Sequence, residues 1–348
     1  MREIGLAGDR AERSELGCRE ADEIARAPPR IGHIVELGLF RRGGGRRGFS
    51  EMLGVHPGHV GVCGALCILL GRLSMDGLVT TEWLAGANGV LVLDATYSST
   101  IPGSPPRDPR AEFEAGHIAG ARFLDLDTLV DESSPLPSTV PTVARIAERL
   151  RTLGADTETQ IILYDNGPHH TSCRAWWVLR LAGVDVALLD GGLAKWKAEG
   201  RPVETGPHQA EPGNFEPRAP RARLRTLDQM KAETGQIADA RSAARFTGAE
   251  ADPRAEVAAG HIPGSRNVPY PKFFNADGTW KAHDHIRAVF EEHGVDLARP
   301  LVTTCGSGIT AAILAFGANL LDNEAALYDG SWTEWGSRPE TAKALGPA

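Results

Sequence analysis

The sequence predicts an α/β fold built from two tandem domains, each a mainly parallel sheet flanked by helices. Three observations carry this. Short apolar runs without polar alternation, such as Val90-Leu91-Val92-Leu93-Asp94, read as strands buried on both faces. Stretches of helical periodicity separate them, as in parallel α/β units. The order of these phrases then repeats at an offset of about 140 residues.

The repeat is explicit in the text. Gly116-His117-Ile118 recurs as Gly260-His261-Ile262, and Asp94-Ala95 as Asp239-Ala240. Ala187-Leu188-Leu189-Asp190-Gly191 recurs as Ala326-Leu327-Tyr328-Asp329-Gly330, and each phrase closes on a tryptophan, Trp196 or Trp335. The predicted organisation is an extension over 1–76, a first domain over 77–203, a linker over 204–221 and a second domain over 222–348. Five prolines between Pro202 and Pro220 suit a stiffened linker crossing a surface.

The 348 residues, 42% hydrophobic and 24% charged, are those of an ordinary globular chain of two domains. A net charge of −8 argues against nucleic acid as a partner. Residues 1–76 differ in character: an Arg- and Gly-rich stretch precedes an apolar run from Val60 to Gly71, too short to span a bilayer. A poorly ordered extension or a mis-assigned start is expected, with Met75 the natural start, and no membrane role. The cysteines Cys18, Cys63, Cys67, Cys173 and Cys305 have neither disulfide nor zinc spacing. Such sparse use fits a reducing, cytoplasmic compartment.

In the first domain, Thr80 or Thr81 is expected to cap a short helix reaching Ala87. The strand Val90 to Asp94 leads to a loop holding Pro102, Pro105, Pro106 and Pro109. A helix from Val143 to Leu153, a strand from Gln160 to Tyr164, a helix from Ala175 to Ala182 and a strand from Val186 to Leu189 follow. In the second domain, Pro300-Leu301-Val302 opens a strand, and a helix runs from Ala311 to Leu321.

Between that last strand and helix lies Cys305-Gly306-Ser307-Gly308-Ile309-Thr310. A strand turning sharply into a helix leaves backbone N–H groups unpaired, and glycine lets the backbone curl around a ligand. The helix dipole and those N–H groups favour negative charge, so a cysteine there is expected to favour its thiolate. Cys305 is therefore the candidate nucleophile rather than a buried structural cysteine. A cysteine phosphatase would place a phosphate-clamping arginine at position 311, where this chain has alanine. Superposing the repeat puts Asp165 opposite Cys305, so the second domain is the chemical one. His117 and His261 recur in both copies and read as fold elements rather than as a base or metal ligands.

The text Cys-Gly-Ser-Gly-Ile-Thr-Ala resembles the active-site loop of the 3-mercaptopyruvate sulfurtransferases, a branch of the rhodanese superfamily, with likeness extending over about residues 77–338. The resemblance implies two rhodanese-like domains with the active site between them. It implies sulfur transfer from a 2-oxo acid thiol through a Cys305 persulfide to a thiol, cyanide or thioredoxin-like acceptor, without metal or organic cofactor. It implies substrate-binding roles for Arg245 and Arg254, in an Arg-Phe-x-Gly … Pro-Arg phrase, and for the loop residues Gly306, Gly308, Ile309 and Thr310. A guanidinium suits a 2-oxo acid because it grips carboxylate bidentately and polarises the ketone. The resemblance also implies a relay role for Ser307 and a catalytic role for Asp127. The family pairs that aspartate with a histidine, yet this chain has Ser138 at the histidine position, and serine shuttles no proton near neutral pH. His169 and His170 are the candidates to replace it.

The alternatives are a thiosulfate sulfurtransferase, disfavoured by a loop without basic residues, and a non-catalytic persulfide carrier or redox-responsive binding module.

Overall fold

The computed structural model describes residues 77–98 and 107–347. The expected extension, the proposed start at Met75, and Pro102, Pro105 and Pro106 of the proline loop lie outside the described residues.

Two five-stranded sheets form the frame. The first contains β1 (Leu78–Val79), β2 (Val90–Asp94), β4 (Arg122–Phe123), β5 (Gln160–Tyr164) and β6 (Val186–Leu189), in the order β1-β6-β5-β2-β4. The second contains β8 (Arg223–Arg225), β9 (Gln236–Asp239), β10 (Arg266–Asn267), β11 (Leu301–Thr304) and β12 (Ala326–Tyr328), in the equivalent order β8-β12-β11-β9-β10. Every pairing in both is parallel. An antiparallel pair of short strands joins β3 (His117–Ile118) to β7 (Val203–Glu204). The apolar runs over 90–94, 160–164 and 186–189 thus become strands with the expected bounds.

Thr80 caps the helix Thr81–Gly86, its hydroxyl accepting the Trp83 N–H at 3.1 Å. The helix Val143–Thr152 ends within a residue of expectation. The helix expected from Ala175 begins earlier and spans Ser172–Arg180, every residue buried. The helix Ala311–Asn319 is buried without interruption from Ala311 to Ala318. Helices buried on all sides are interior helices, and these two pack on each other, Trp176 meeting Phe316 edge-on at 5.0 Å. One continuous buried cluster therefore runs from Leu163 of one domain to Leu327 of the other.

The connector, mostly exposed, runs along the surface of the first domain. It contributes β7, buries Phe215, and is stapled to the first domain by the Gly213 N–H to Arg151 carbonyl and Phe215 N–H to Ala155 carbonyl bonds, 2.8 and 3.0 Å.

The repeated histidines have matching fold roles. His117 Nδ1 meets the Phe113 carbonyl at 2.8 Å while its ring stacks on Phe113; His261 Nδ1 meets the Phe246 carbonyl at 2.9 Å and stacks on Phe246. Among the described residues, no helix is long and apolar enough to cross a membrane.

Candidate active site

Cys305 follows β11 directly and is buried, 2% exposed. Its carbonyl accepts the Trp332 N–H at 3.0 Å, and its own N–H is taken by Ser331 Oγ at 3.2 Å. Among the described residues, the N–H groups of Gly306, Ser307, Gly308 and Ile309 have no protein acceptor. The expected cradle of unpaired donors is present. Gly308 has φ +80, and an added Cβ would lie 2.8 Å from the Asp329 carbonyl oxygen, so both conformation and space require glycine there. Gly306 has neither constraint; a methyl group would make only ordinary contact with the Arg245 guanidinium at 3.6 Å.

A cavity of about 430 Å³ opens above this loop. Cys305, Gly306, Ser307, Ile309 and Thr310 line it together with Arg245 and Arg254. Residues separated by some fifty positions in sequence are thus brought to one place, with Gly308 completing the loop. Arg241, Tyr270 and the exposed Glu250 also line it.

The two arginines are held in an unforeseen way. Arg245 Nη2 pairs with Asp252 Oδ2 at 2.6 Å, and Arg254 Nη1 with Asp252 Oδ1 at 3.1 Å. One buried carboxylate orients both guanidiniums and neutralises only one charge, so the pair presents a net positive charge to the cavity. Arg241 is satisfied by Asp239 at 2.7 Å and by the Gly260 carbonyl, which makes it part of the wall's frame.

Asp127 stands apart. It does not line the cavity; its charge acts on Tyr97. Burial, then the Asp125 charge, push the Asp127 carboxyl above the usual carboxylate range. Ser138 lies in the same neighbourhood, in the left-handed region at φ 58, its hydroxyl 3.0 Å from Tyr97 Oη.

Arg174 was not singled out in the sequence. It lies 3% exposed in the inter-domain helix. Its Nη2 donates to the Ser138 carbonyl at 2.6 Å and pairs with Asp329 at 2.7 Å, and its Nη1 reaches the Gly308 carbonyl at 3.4 Å. Asp329 also accepts the Val140 N–H at 2.7 Å. The cysteine loop is therefore buttressed by the other domain. Ser331 was also missed, although it sits one residue beyond the repeated phrase ending at Gly330. Among the described residues no cluster of three or more His, Cys, Asp or Glu side chains is arranged to hold a metal ion.

Comparison with known proteins shows the family. A profile of the rhodanese-like domain matches twice, at residues 83–199 and 224–338. The 3-mercaptopyruvate sulfurtransferase of Mus musculus is 36% identical over 278 residues, covering 76% of this chain and 93% of the relative. A thiosulfate sulfurtransferase of Cricetulus griseus is also 36% identical, over 287 residues, 77% of this chain and 95% of its own. The crystal structure of SseA from Escherichia coli, one of the 3-mercaptopyruvate sulfurtransferases, superposes with a TM-score of 0.65 at 35% identity, over 73% of this chain and 98% of that one. With its doubled α/β fold and its cysteine loop, the chain belongs to the rhodanese-like family as a tandem-domain sulfurtransferase.

Proposed function

We propose that the enzyme takes sulfur from 3-mercaptopyruvate, carries it as a Cys305 persulfide and passes it to a thiophilic acceptor, releasing pyruvate. The observation that carries this reading is the pair Arg245 and Arg254, fixed by one carboxylate over the same cavity as Cys305. A carboxylate-bearing donor is what such a pair recognises.

In this reading the Cys305 thiolate attacks the donor sulfur, forming an S–S bond as the S–CH2 bond breaks. The electron pair delocalises onto the adjacent ketone as an enolate, the donor's thiol proton ends on the methyl carbon, and the persulfide remains as an anion. The open N–H groups from Gly306 to Ile309 hold it, and Thr310 and Ile309 close the cavity wall. Ser307 offers its hydroxyl as the relay at the donor's side. Asp127 enters only as a charge behind Tyr97 and Ser138. The acceptor, a small thiol or a thioredoxin-like dithiol, then removes the outer sulfur in a second half-reaction. The cytoplasm, where Cys305 stays reduced, is the proposed compartment.

A thiosulfate donor is the second reading, favoured by the equally similar thiosulfate sulfurtransferase. Against it, no Lys or Arg lies between Cys305 and Thr310. Steady-state kinetics of the full chain with each donor and cyanide as acceptor separate the two. A kcat/KM for mercaptopyruvate higher by about 10-fold or more is the expected result. The reverse preference overturns the arginine clamp, and stoichiometric sulfur release without turnover supports the carrier alternative.

A further inference from the structure

The first domain also touches a residue that lines the cavity. His169 Nδ1 lies 3.0 Å from Tyr270 Oη, with the rings edge-on and centroids 6.4 Å apart. His170, in the left-handed region at φ 44, stacks flat on Phe274 with centroids 3.4 Å apart. Two successive rings of one loop thus grip both ends of the 3₁₀ turn Tyr270–Phe273 in the other domain. Tyr270 is half-buried and lines the cavity with Cys305, Ser307 and both arginines.

The protonation states suit a donor. Burial, then the Cys305 charge, push the Tyr270 phenol above the ordinary tyrosine range, so it keeps its proton at neutral pH. Burial, followed by Arg107 and His170, pushes His169 down against the opposing pull of Asp165, so its imidazole is neutral there. A neutral imidazole with its proton on Nδ1 donates to the phenol oxygen and leaves the phenol O–H free to point into the cavity.

We propose that Tyr270 is a catalytic residue of the mercaptopyruvate half-reaction, donating its O–H to the ketone oxygen as the enolate develops, and that His169 is the residue that positions it. This rests on the donor assigned above. The arginines hold the carboxylate, and the phenol answers the charge appearing on the neighbouring oxygen. Such a donor acts most strongly in the transition state, where the oxygen carries negative charge. No proton leaves Tyr270, so the bonds formed and broken are those already described. The relay lost at Ser138 is then not replaced by another proton shuttle; a fixed hydrogen-bond donor in the cavity wall carries that share of the barrier.

The test is steady-state kinetics of the full chain, wild type against Tyr270→Phe, His169→Ala and the double variant, with both donors. Tyr270→Phe is expected to lower kcat for mercaptopyruvate by about 10- to 100-fold with KM changed by less than about threefold. His169→Ala should lower kcat by about 3- to 10-fold, and the double variant should fall no further than Tyr270→Phe, because one residue acts through the other. Thiosulfate lacks a ketone, so its turnover should suffer less. A Tyr270→Phe kcat within about twofold of wild type, or equal losses with both donors, would overturn the proposal. Wild-type protein inert toward mercaptopyruvate removes the donor assignment and this inference with it; an active wild type beside an undisturbed Tyr270→Phe removes the inference alone.

Discussion

At the end of β5 the first domain places Asp165, whose carboxylate accepts the Ser172 N–H at 2.9 Å. At the end of β11 the second domain places Cys305 and leaves the N–H groups of the next four residues open. The two loops follow the same course: the Leu193 N–H reaches the Asp165 carbonyl at 3.1 Å, and the Trp332 N–H reaches the Cys305 carbonyl at 3.0 Å. One copy satisfies a donor of its cradle with its own side chain, while the other keeps them for a ligand. The same contrast appears behind the loops. Gly192, at φ 55, corresponds to Ser331, at φ 48, whose hydroxyl supports the Cys305 N–H. A non-glycine residue tolerates that conformation only where neighbours enforce it, and such positions gather at active sites. Among the described residues Asp94 is answered by hydroxyl and amide hydrogen bonds, among them Thr96 N–H at 2.8 Å, with no ion pair in contact, whereas Asp239 pairs bidentately with Arg241.

Exchanging features between the two domains tests how far this contrast goes. The largest effect belongs to the nucleophile. Cys305→Ser should reduce turnover by at least about 10³-fold, because the covalent carrier is lost; substantial residual activity with either donor would place the chemistry elsewhere.

The next effect concerns the paired aspartates, which should respond in opposite senses. Asp239→Asn orphans the buried Arg241 charge and should cost about 3 kcal/mol of stability by denaturant titration. Asp94 is different, because burial, partly offset by its Thr96 bonds, raises its carboxyl to about 6. A group whose folded pKa is raised contributes stability at acid pH that is lost as pH rises through about 6. Asp94→Asn should therefore stabilise the protein by about 1–2 kcal/mol at pH 7.5, with the gain shrinking toward pH 4. An equal gap at both pH values would refute the uncompensated charge.

The arginine clamp, which has no counterpart assigned in the first domain, comes third. Arg245→Ala and Arg254→Ala should each cost ~1.5–3 kcal/mol, or about 10- to 150-fold in mercaptopyruvate kcat/KM. Unchanged kinetics in both would exclude the clamp. The smallest expected effect is that of Ser331→Gly, which gives the second domain the first domain's residue. Loss of one bond to the Cys305 N–H should lower kcat by a few-fold, about 0.5–1.5 kcal/mol, while relief of the left-handed strain limits the loss of stability. A drop as large as that of the arginines would mean that Ser331 holds the whole loop.

Much of this was legible in the chain. Strands 90–94, 160–164 and 186–189 announced themselves because residues buried on both faces leave an unbroken apolar run. Cys305 was legible because its loop combines strand end, glycine and helix start in a few residues. The helix Pro109–Ala115, capped by the Asp108 carboxylate accepting the Ala111 N–H, was passed over despite its Asp-Pro start signal. The start of the helix at Ser172 was missed because Thr171, Ser172 and Arg174 look solvent-facing; packing against the other domain, with Asp329 as ion-pair partner, makes Arg174 an interior residue.

By itself the sequence determined the doubled α/β frame and the one cysteine held in an open cradle, because both are written in local periodicity and short-range turn chemistry. Tertiary structure alone decided that Asp252 would share two arginines, that Arg174 would brace the loop from the other domain, and that His169 would meet Tyr270. Those pairings join residues up to about a hundred and fifty positions apart, and no local pattern encodes which side chains two packed domains bring face to face.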